Sequence, residues 1–148
     1  MILVITDALG NRKIVASKPF KPGQIILSLK NGITIEQATK YSVQIDWKQH
    51  IDAPEEERWL AFKYPWCFTN HHCHPNAYFQ GIHLVALYHI GVKEEITFDY
   101  NTTEYDMDCP FECCCNAHKK PRLISGFKHL SSKEQSQLRS YLMGYLKK

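Results

Sequence analysis

Asn70-His71-His72-Cys73-His74-Pro75-Asn76 and, downstream, Gly91-Val92-Lys93-Glu94-Glu95-Ile96-Thr97-Phe98-Asp99-Tyr100 are the two stretches that decide the reading of this chain. The heptad crowds Asn, His and Cys beside a proline, as in a loop whose side chains point into a site. His71, His72, Cys73 and His74 are all zinc-ligand types. Neighbouring side chains diverge, however, and paired ligands usually stand about two to four residues apart. The heptad by itself therefore reads as a functional loop and not as a metal centre.

Around it, short β-like runs separated by turns fill most of the first hundred positions. Met1 to Asp7 reads as a first strand, Ile14 to Ala16 as a second, and Gln24 to Leu29 as a third after the Lys21-Pro22-Gly23 turn. Ser42 to Asp46 alternates as a half-buried strand should. Pro54 followed by Glu55, Glu56 and Glu57 predicts a short helix, with acids at its positive end. Gly81 to Ile90 predicts a strand with Ile82, Leu84, Ala86 and Tyr88 on one face. In the tail, Ser131 and Ser132 offer a capping-box start. Leu138, Tyr141, Leu142, Tyr145 and Leu146 follow at helical spacing and predict an amphipathic helix docked on the body.

The chain has 148 residues, 44% apolar and 22% charged, which suits one globular domain. Its 18 basic and 15 acidic residues give a charge of +3, and the basic residues are scattered. That balance argues against direct nucleic-acid binding. No run approaches the roughly 18 apolar residues of a membrane span. Met1 to Asp7 lacks the basic leader of a signal peptide. The six cysteines are therefore expected as thiols or metal ligands in a cytoplasmic protein, although export by a non-classical route would leave no mark. Four of them, Cys109, Cys113, Cys114 and Cys115, fall within seven positions.

The heptad resembles the Asn-His-Ser-Cys-x-Pro-Asn motif of SET-domain protein-lysine methyltransferases, and Gly91 to Tyr100 resembles that family's Gly-Glu-Glu-Leu-Thr-Phe-Asp-Tyr motif. Their order, with a β-hairpin between them, is the family's own. Asn11 to Leu27 looks like the family's opening segment, and Phe111 to Phe127 like the cysteine-bearing segment after the catalytic region. The resemblance covers nearly the whole chain and looks like the small stand-alone SET proteins of bacteria. It implies a mostly β (α+β) SET fold: several small twisted sheets around a pseudoknot-like core. The expected divisions are a SET domain over 1–108, a post-SET-like segment over 109–130 and the C-terminal helix over 131–148.

The resemblance also implies an activity: methyl transfer from S-adenosylmethionine to a lysine amine of a protein. Asn70 and His71 match the cofactor-contacting pair, and Tyr100 matches the catalytic tyrosine. Free lysine, with a pKa of about 10.4, is almost wholly protonated at neutral pH. A desolvated aromatic channel would disfavour the ammonium form, and alignment of amine and methyl group would supply acceleration through proximity. Phe98, Tyr64 and Phe68 are the expected channel walls. Phe98 matches the position that tunes methyl number, where Phe implies di- or trimethylation; it also reads as plain core between Ile96 and Tyr100.

Two departures matter. The opening segment keeps a single glycine, Gly10, where the family has Gly-x-Gly, leaving Arg12 or Lys13 to meet the cofactor carboxylate. The later segment lacks its last cysteine, with Lys120 in that position. Cys73, Cys113, Cys115 and His118 would then hold zinc, with Cys109 or Cys114 as further candidates; a decayed site of buried thiols is the other reading. Phe127 is expected to pack near the cofactor.

The principal rival is a SET-fold binding module without activity, and a hydrolase using Cys67 or Cys73 is a remoter one. The partner is expected to be a protein presenting a lysine, with ribosomal, DNA-packaging and histone proteins all compatible. Self-association is left open by the lack of flanking domains.

Overall fold

The computed structural model describes residues 1–147. β1 (Ile2–Thr6) and β2 (Arg12–Ala16) form the opening antiparallel hairpin. Its turn is made by Asp7, whose Oδ1 accepts the N–H groups of Leu9 and Asn11 at 2.9 Å each. Gly10 completes it at φ +85°, a left-handed conformation that suits a residue without Cβ. The glycine matched to the family's opening motif is thus a hairpin-turn residue.

β3 (Ile25–Ser28) is followed by a three-stranded sheet of β4 (Ile33–Ile35), β5 (Val43–Asp46) and β6 (Gln49–Asp52), with β6 in the centre. The predicted helix after Pro54 is a single 3-10 turn, Glu55–Glu57. β7 (Asn70–His71) carries the start of the heptad. β8 (Ala77–Gln80) and β9 (His83–Ala86) form the hairpin between the motifs, and β3 pairs with the other edge of β9. This strand is shorter than predicted. Ile82 (37% exposed) and Tyr88 (61%) lie outside it on the surface. Leu84, Val85 and Ala86 are all buried, because β9 is central and covered on both faces.

β10 (Thr97–Phe98) pairs in parallel with β7, in the register Thr97 to Asn70 and Phe98 to His71. β11 (Phe111–Cys113) and β12 (Arg122–Ile124) make a last hairpin. Ile14, Phe20, Leu29, Phe79, Leu84, Ile90 and Ile96 form the closed centre beneath these small sheets. The mostly β architecture is as expected. Among the described residues no helix is long and apolar enough to cross a membrane.

The predicted C-terminal helix is much reduced. Only α1 (Ser132–Gln137) is α-helical, with the Ser131 hydroxyl accepting the Glu134 N–H at 3.2 Å. A 3-10 turn over Arg139–Tyr141 follows, the chain extends at Leu142 (ψ 144°), and a second 3-10 turn covers Gly144–Lys147. Lys148, the last residue of the predicted helix, lies outside the described residues. Docking explains the break. The Met143 N–H donates to the Thr102 carbonyl at 2.8 Å, and the Tyr145 hydroxyl donates to the Thr103 carbonyl. Leu142, Met143, Tyr145 and Leu146 are all buried in this arrangement, and Gly144 weakens a helix between them.

Phe79 is fully buried and meets the Phe98 ring edge-on at 4.9 Å. Phe79→Ala should cost about 3–5 kcal/mol. A lower denaturant midpoint at unchanged slope is the expected result.

Candidate active site

The site is built where the two motif strands cross. Beyond the two-residue ladder, the His72 N–H donates to the Phe98 carbonyl at 3.2 Å. Asn76 locks the crossing from the side: its Nδ2 donates to the Glu95 carbonyl at 2.9 Å and its Oδ1 accepts the Thr97 N–H at 3.0 Å. Asn70 Nδ2 donates to the Arg12 carbonyl (3.2 Å) and to Glu95 Oε2 (3.0 Å). Its Oδ1 takes no hydrogen bond from the described residues. The heptad asparagines therefore tie three separate segments together.

Tyr100 opens a 3-10 turn, Tyr100–Thr102, capped by Asp99, whose Oδ1 accepts the Asn101 N–H at 2.9 Å. The Tyr100 N–H donates to His71 Nδ1 at 3.0 Å. His71 Nδ1 is therefore an acceptor, and its ring proton sits on Nε2, which lies 3.3 Å from Cys73 Sγ. Burial pushes the His71 pKa down to about 3, so its 3.6 Å approach to Asp99 Oδ1 is not an ion pair. Burial also raises Asp99 to about 6, against the Asn101 hydrogen bond.

The Tyr100 hydroxyl donates to the Thr69 carbonyl at 2.7 Å. Burial, then the charges of Glu104 and Glu95, hold its phenol well above the ordinary range. It is a proton-bearing group at neutral pH. Its ring stands 4.9 Å from Phe98, 5.3 Å from His71 and 5.9 Å from Phe111.

A cavity of about 620 Å³ opens over this aromatic cluster. Asn70, His71, Phe98 and Tyr100 line it, with Trp66, Cys67 and Thr69 beside them. One wall is Thr39 to Val43, and the other is Met107 to Cys115. Glu104 also faces it.

Several expected residues are elsewhere. Tyr64 is buried core, its hydroxyl 2.5 Å from Glu57 Oε2, and it is absent from the cavity wall. Phe68 is buried under the Arg12 guanidinium, 5.0 Å from its ring centre. Arg12 and Lys13 lie on β2, and Phe127 packs against the core at the start of a 3-10 turn; none of the three lines the cavity. Phe111 and Glu104 were not singled out from the sequence. The usable signal was the four-residue step from Tyr100 to Glu104, which places both on one face of a turn. Cys67 does line the cavity, but burial and then Asp52 push its thiol up to about 12, so it is no nucleophile.

The β11–β12 hairpin and the heptad bring Cys73, Cys113, Cys115 and His118 together, with ligand atoms all within 4.8 Å of one another. Cys73 Sγ and Cys113 Sγ are 4.0 Å apart, and Cys115 Sγ and His118 Nε2 are 3.5 Å apart. Ligand atoms around a tetrahedral zinc with bonds of about 2.3 Å stand about 3.8 Å apart, so these donors fit such an ion. His118 Nδ1 lies 2.6 Å from the Lys120 carbonyl, which orients Nε2 toward the cluster. Cys109 and Cys114 are exposed and outside the cluster.

The segment that carries these ligands is pinned to the Tyr100 turn. The Gly126 N–H donates to Asn101 Oδ1 at 3.1 Å, and the Phe127 N–H to the Glu104 carbonyl at 2.8 Å. Gly126 has φ +115°, and a Cβ there would lie 2.6 Å from the Tyr105 carbonyl oxygen. Only glycine permits that approach.

The SET domain family model matches residues 11–101, more than half of the chain, and the chain belongs to that family. Its fold is similar to the crystal structure of CpSET8 from Cryptosporidium, with a TM-score of 0.52 and 23% identity over 67% of this chain and 56% of that one. It is also similar to KRYPTONITE in complex with mCHH DNA, an H3(1-15) peptide and SAH, with a TM-score of 0.56 and 21% identity over 81% of this chain and 29% of that one. The chain thus spans less than two thirds of the length of either. No curated protein matches its sequence at a significant level.

Asn76→Ala removes both partners that lock the crossing. Stranding the Glu95 carbonyl and the Thr97 N–H should cost about 1–3 kcal/mol per group. Faster hydrogen exchange at the Thr97 amide, with a lowered unfolding midpoint, is the measurable outcome.

Proposed function

We propose that this protein is a protein-lysine N-methyltransferase that uses S-adenosylmethionine. The observation that carries the reading is the convergence of Asn70, His71, Phe98 and Tyr100 on one cavity, with the Tyr100 hydroxyl held on the Thr69 carbonyl. A cavity of about 620 Å³ is large enough for an organic cofactor together with a side chain. The family membership and the SAH-bound structural neighbour support the choice of cofactor.

The fit rests on chemistry as well as size. Asn70 and His71 would hold the cofactor, Asn70 through its unclaimed Oδ1 and His71 as a neutral ring fixed by the Tyr100 N–H. S-adenosylmethionine supplies an electrophilic methyl group on a sulfonium. The chain supplies the rest. Phe98, Tyr100 and Phe111 supply aromatic walls, whose desolvation would disfavour the ammonium form of an entering lysine. Tyr100 keeps its proton and so orients the amine as a neutral hydrogen-bonding group. Phe98 stands where the family resemblance implies that a phenylalanine favours more than one methyl addition, and it lines the cavity. The peptide in the KRYPTONITE complex supports a protein substrate.

Zinc at Cys73, Cys113, Cys115 and His118 belongs to the same proposal. It would clamp the Met107 to Cys115 wall onto the heptad, next to His71.

Transfer of labelled methyl groups to purified histones and ribosomal proteins tests the activity. Wild type should label lysine, and Tyr100→Phe should fall about 100-fold or more, as when an oriented hydrogen-bonding group is lost from a reacting centre. No transfer together with no binding of S-adenosylmethionine would leave a SET-fold binding module instead. Elemental analysis should separately find one zinc per chain, lost in Cys113→Ser. If the metal contributes about 3 kcal/mol, chelation should lower Tm by roughly 10 °C.

A further inference from the structure

The methyl-transfer reading leaves one step without an agent: the target lysine arrives protonated, and something must take that proton. Tyr100 keeps its own proton at neutral pH, and so does Cys67. Glu104 is placed differently. Its N–H donates to the Tyr100 carbonyl at 2.9 Å, closing a turn that sets the two side chains on one face. Both line the cavity, and Glu104 is only 8% exposed.

The carboxylate is held by one oxygen. Oε2 accepts the Gln44 N–H at 2.9 Å and the Thr103 hydroxyl at 2.7 Å. Oε1 takes no hydrogen bond from the described residues, and it is not among the polar atoms sealed from solvent. Its nearest charged-type neighbour, His50 Nδ1, is 4.0 Å away, beyond bonding distance, and has no partner of its own. A carboxylate fixed through Oε2 thus keeps its other oxygen free, on a residue that lines the same cavity as Tyr100.

We propose that Glu104 is a second catalytic residue of this site, receiving the substrate ammonium at Oε1 and taking its proton before methyl transfer. The proposal rests on the methyltransferase reading above. The proton passes from lysine Nζ to Glu104 Oε1. The lone pair so freed forms the new N–C bond, and the pair of the broken S–C bond stays on sulfur. The product leaves as a methylated ammonium, and Glu104 returns its proton to solvent through the open cavity.

Burial raises the Glu104 pKa to about 7, against the hydrogen bonds from Gln44 and Thr103. An ordinary glutamate at about 4.3 lies some six units below a free lysine at about 10.4, and the shift narrows that gap. The groups facing Glu104 are His50 on β6, kept neutral by burial, and the Tyr100 and Tyr145 phenols, both held protonated. Across the cavity stand Lys40 and Tyr41 on one wall and Asp108, Cys109 and Glu112 on the other.

The first measurement needs no cofactor. In protein carrying carbon-13 glutamate, the Glu104 carboxyl should titrate near 7. n-Butylamine, which mimics the lysine side chain and is charged there, should lower that midpoint by about one unit or more; n-butanol should not. The second compares initial rates of wild type and Glu104→Gln on histones and ribosomal proteins at saturating S-adenosylmethionine. The variant should lose about tenfold or more at pH 7, and its rising pH limb should move up by a unit or more. Its affinity for S-adenosylmethionine should be unchanged.

Folding is checked in parallel. The folded pKa lies above the unfolded one, so the folded state loses stability as pH rises from about 4.3 to about 7. Glu104→Gln should therefore melt no lower than wild type at pH 8. Transfer by wild type with a Glu104 carboxyl indifferent to butylamine, or a variant with the wild-type pH profile, would overturn this proposal alone. A butylamine response in a wild type that transfers nothing at any pH would overturn the methyltransferase reading, and the catalytic role with it.

Discussion

Two residues on each side make a very short parallel ladder, and parallel pairing of any kind requires a crossover between its strands. Here Asn70-His71 and Thr97-Phe98 meet with only the β8–β9 hairpin as the crossover, with no helix to cover it. Such a ladder has almost no stability of its own. It persists because side chains fasten it: Asn76 across to residues 95 and 97, Asn70 to residues 12 and 95, and His71 to the Tyr100 N–H. The same bonds aim the functional groups. Breaking the crossing would displace Tyr100 from Thr69 and Phe98 from the cavity in one event, so the fold's weakest ladder and its chemistry share one set of contacts.

The second half of the site is applied from outside this crossing. The Met107 to Cys115 wall has only a three-residue strand pairing of its own, so it depends on what it is fastened to. One end reaches the heptad through the Cys73 cluster, and the other reaches the Tyr100 turn through Asn101 and Gly126. The C-terminal turns then brace that turn from behind, at Thr102 and Thr103. Segments far apart in sequence therefore converge on residues 100 to 104.

What the sequence disclosed follows from this geometry. The motif residues could be matched because Asn70-His71 and Phe98 to Tyr100 each sit within a few positions of one another, and the structure brings the two groups to one cavity. Cys73, Cys113, Cys115 and His118 were named together from the family's cysteine spacing, and the structure places their ligand atoms within 4.8 Å of one another. Tyr64 and Phe68 were misplaced because nearness in sequence to the heptad says nothing about which way a ring points, and both turn into the core. The tail was misread for a related reason. Its apolar residues keep helical spacing, but the bond from Met143 to Thr102 outweighs helix propensity, as tertiary contacts often do. Phe111 came to the site through tertiary folding alone, and Glu104 through the turn it shares with Tyr100.

That turn also explains why an acid is tolerated beneath the cavity. A buried carboxylate is costly unless hydrogen bonds compensate it. At Glu104 the compensation is one-sided, two donors on Oε2 and none on Oε1, and His50 stands nearby with a ring nitrogen equally unserved. A purely structural site would be expected to close such a gap, since a hydroxyl or amide in the wall would satisfy both groups. The fold instead leaves an acceptor uncompensated on a residue that lines the cavity, within one turn of Tyr100. A donor arriving through the cavity, a cationic ammonium above all, would complete the missing half of that arrangement.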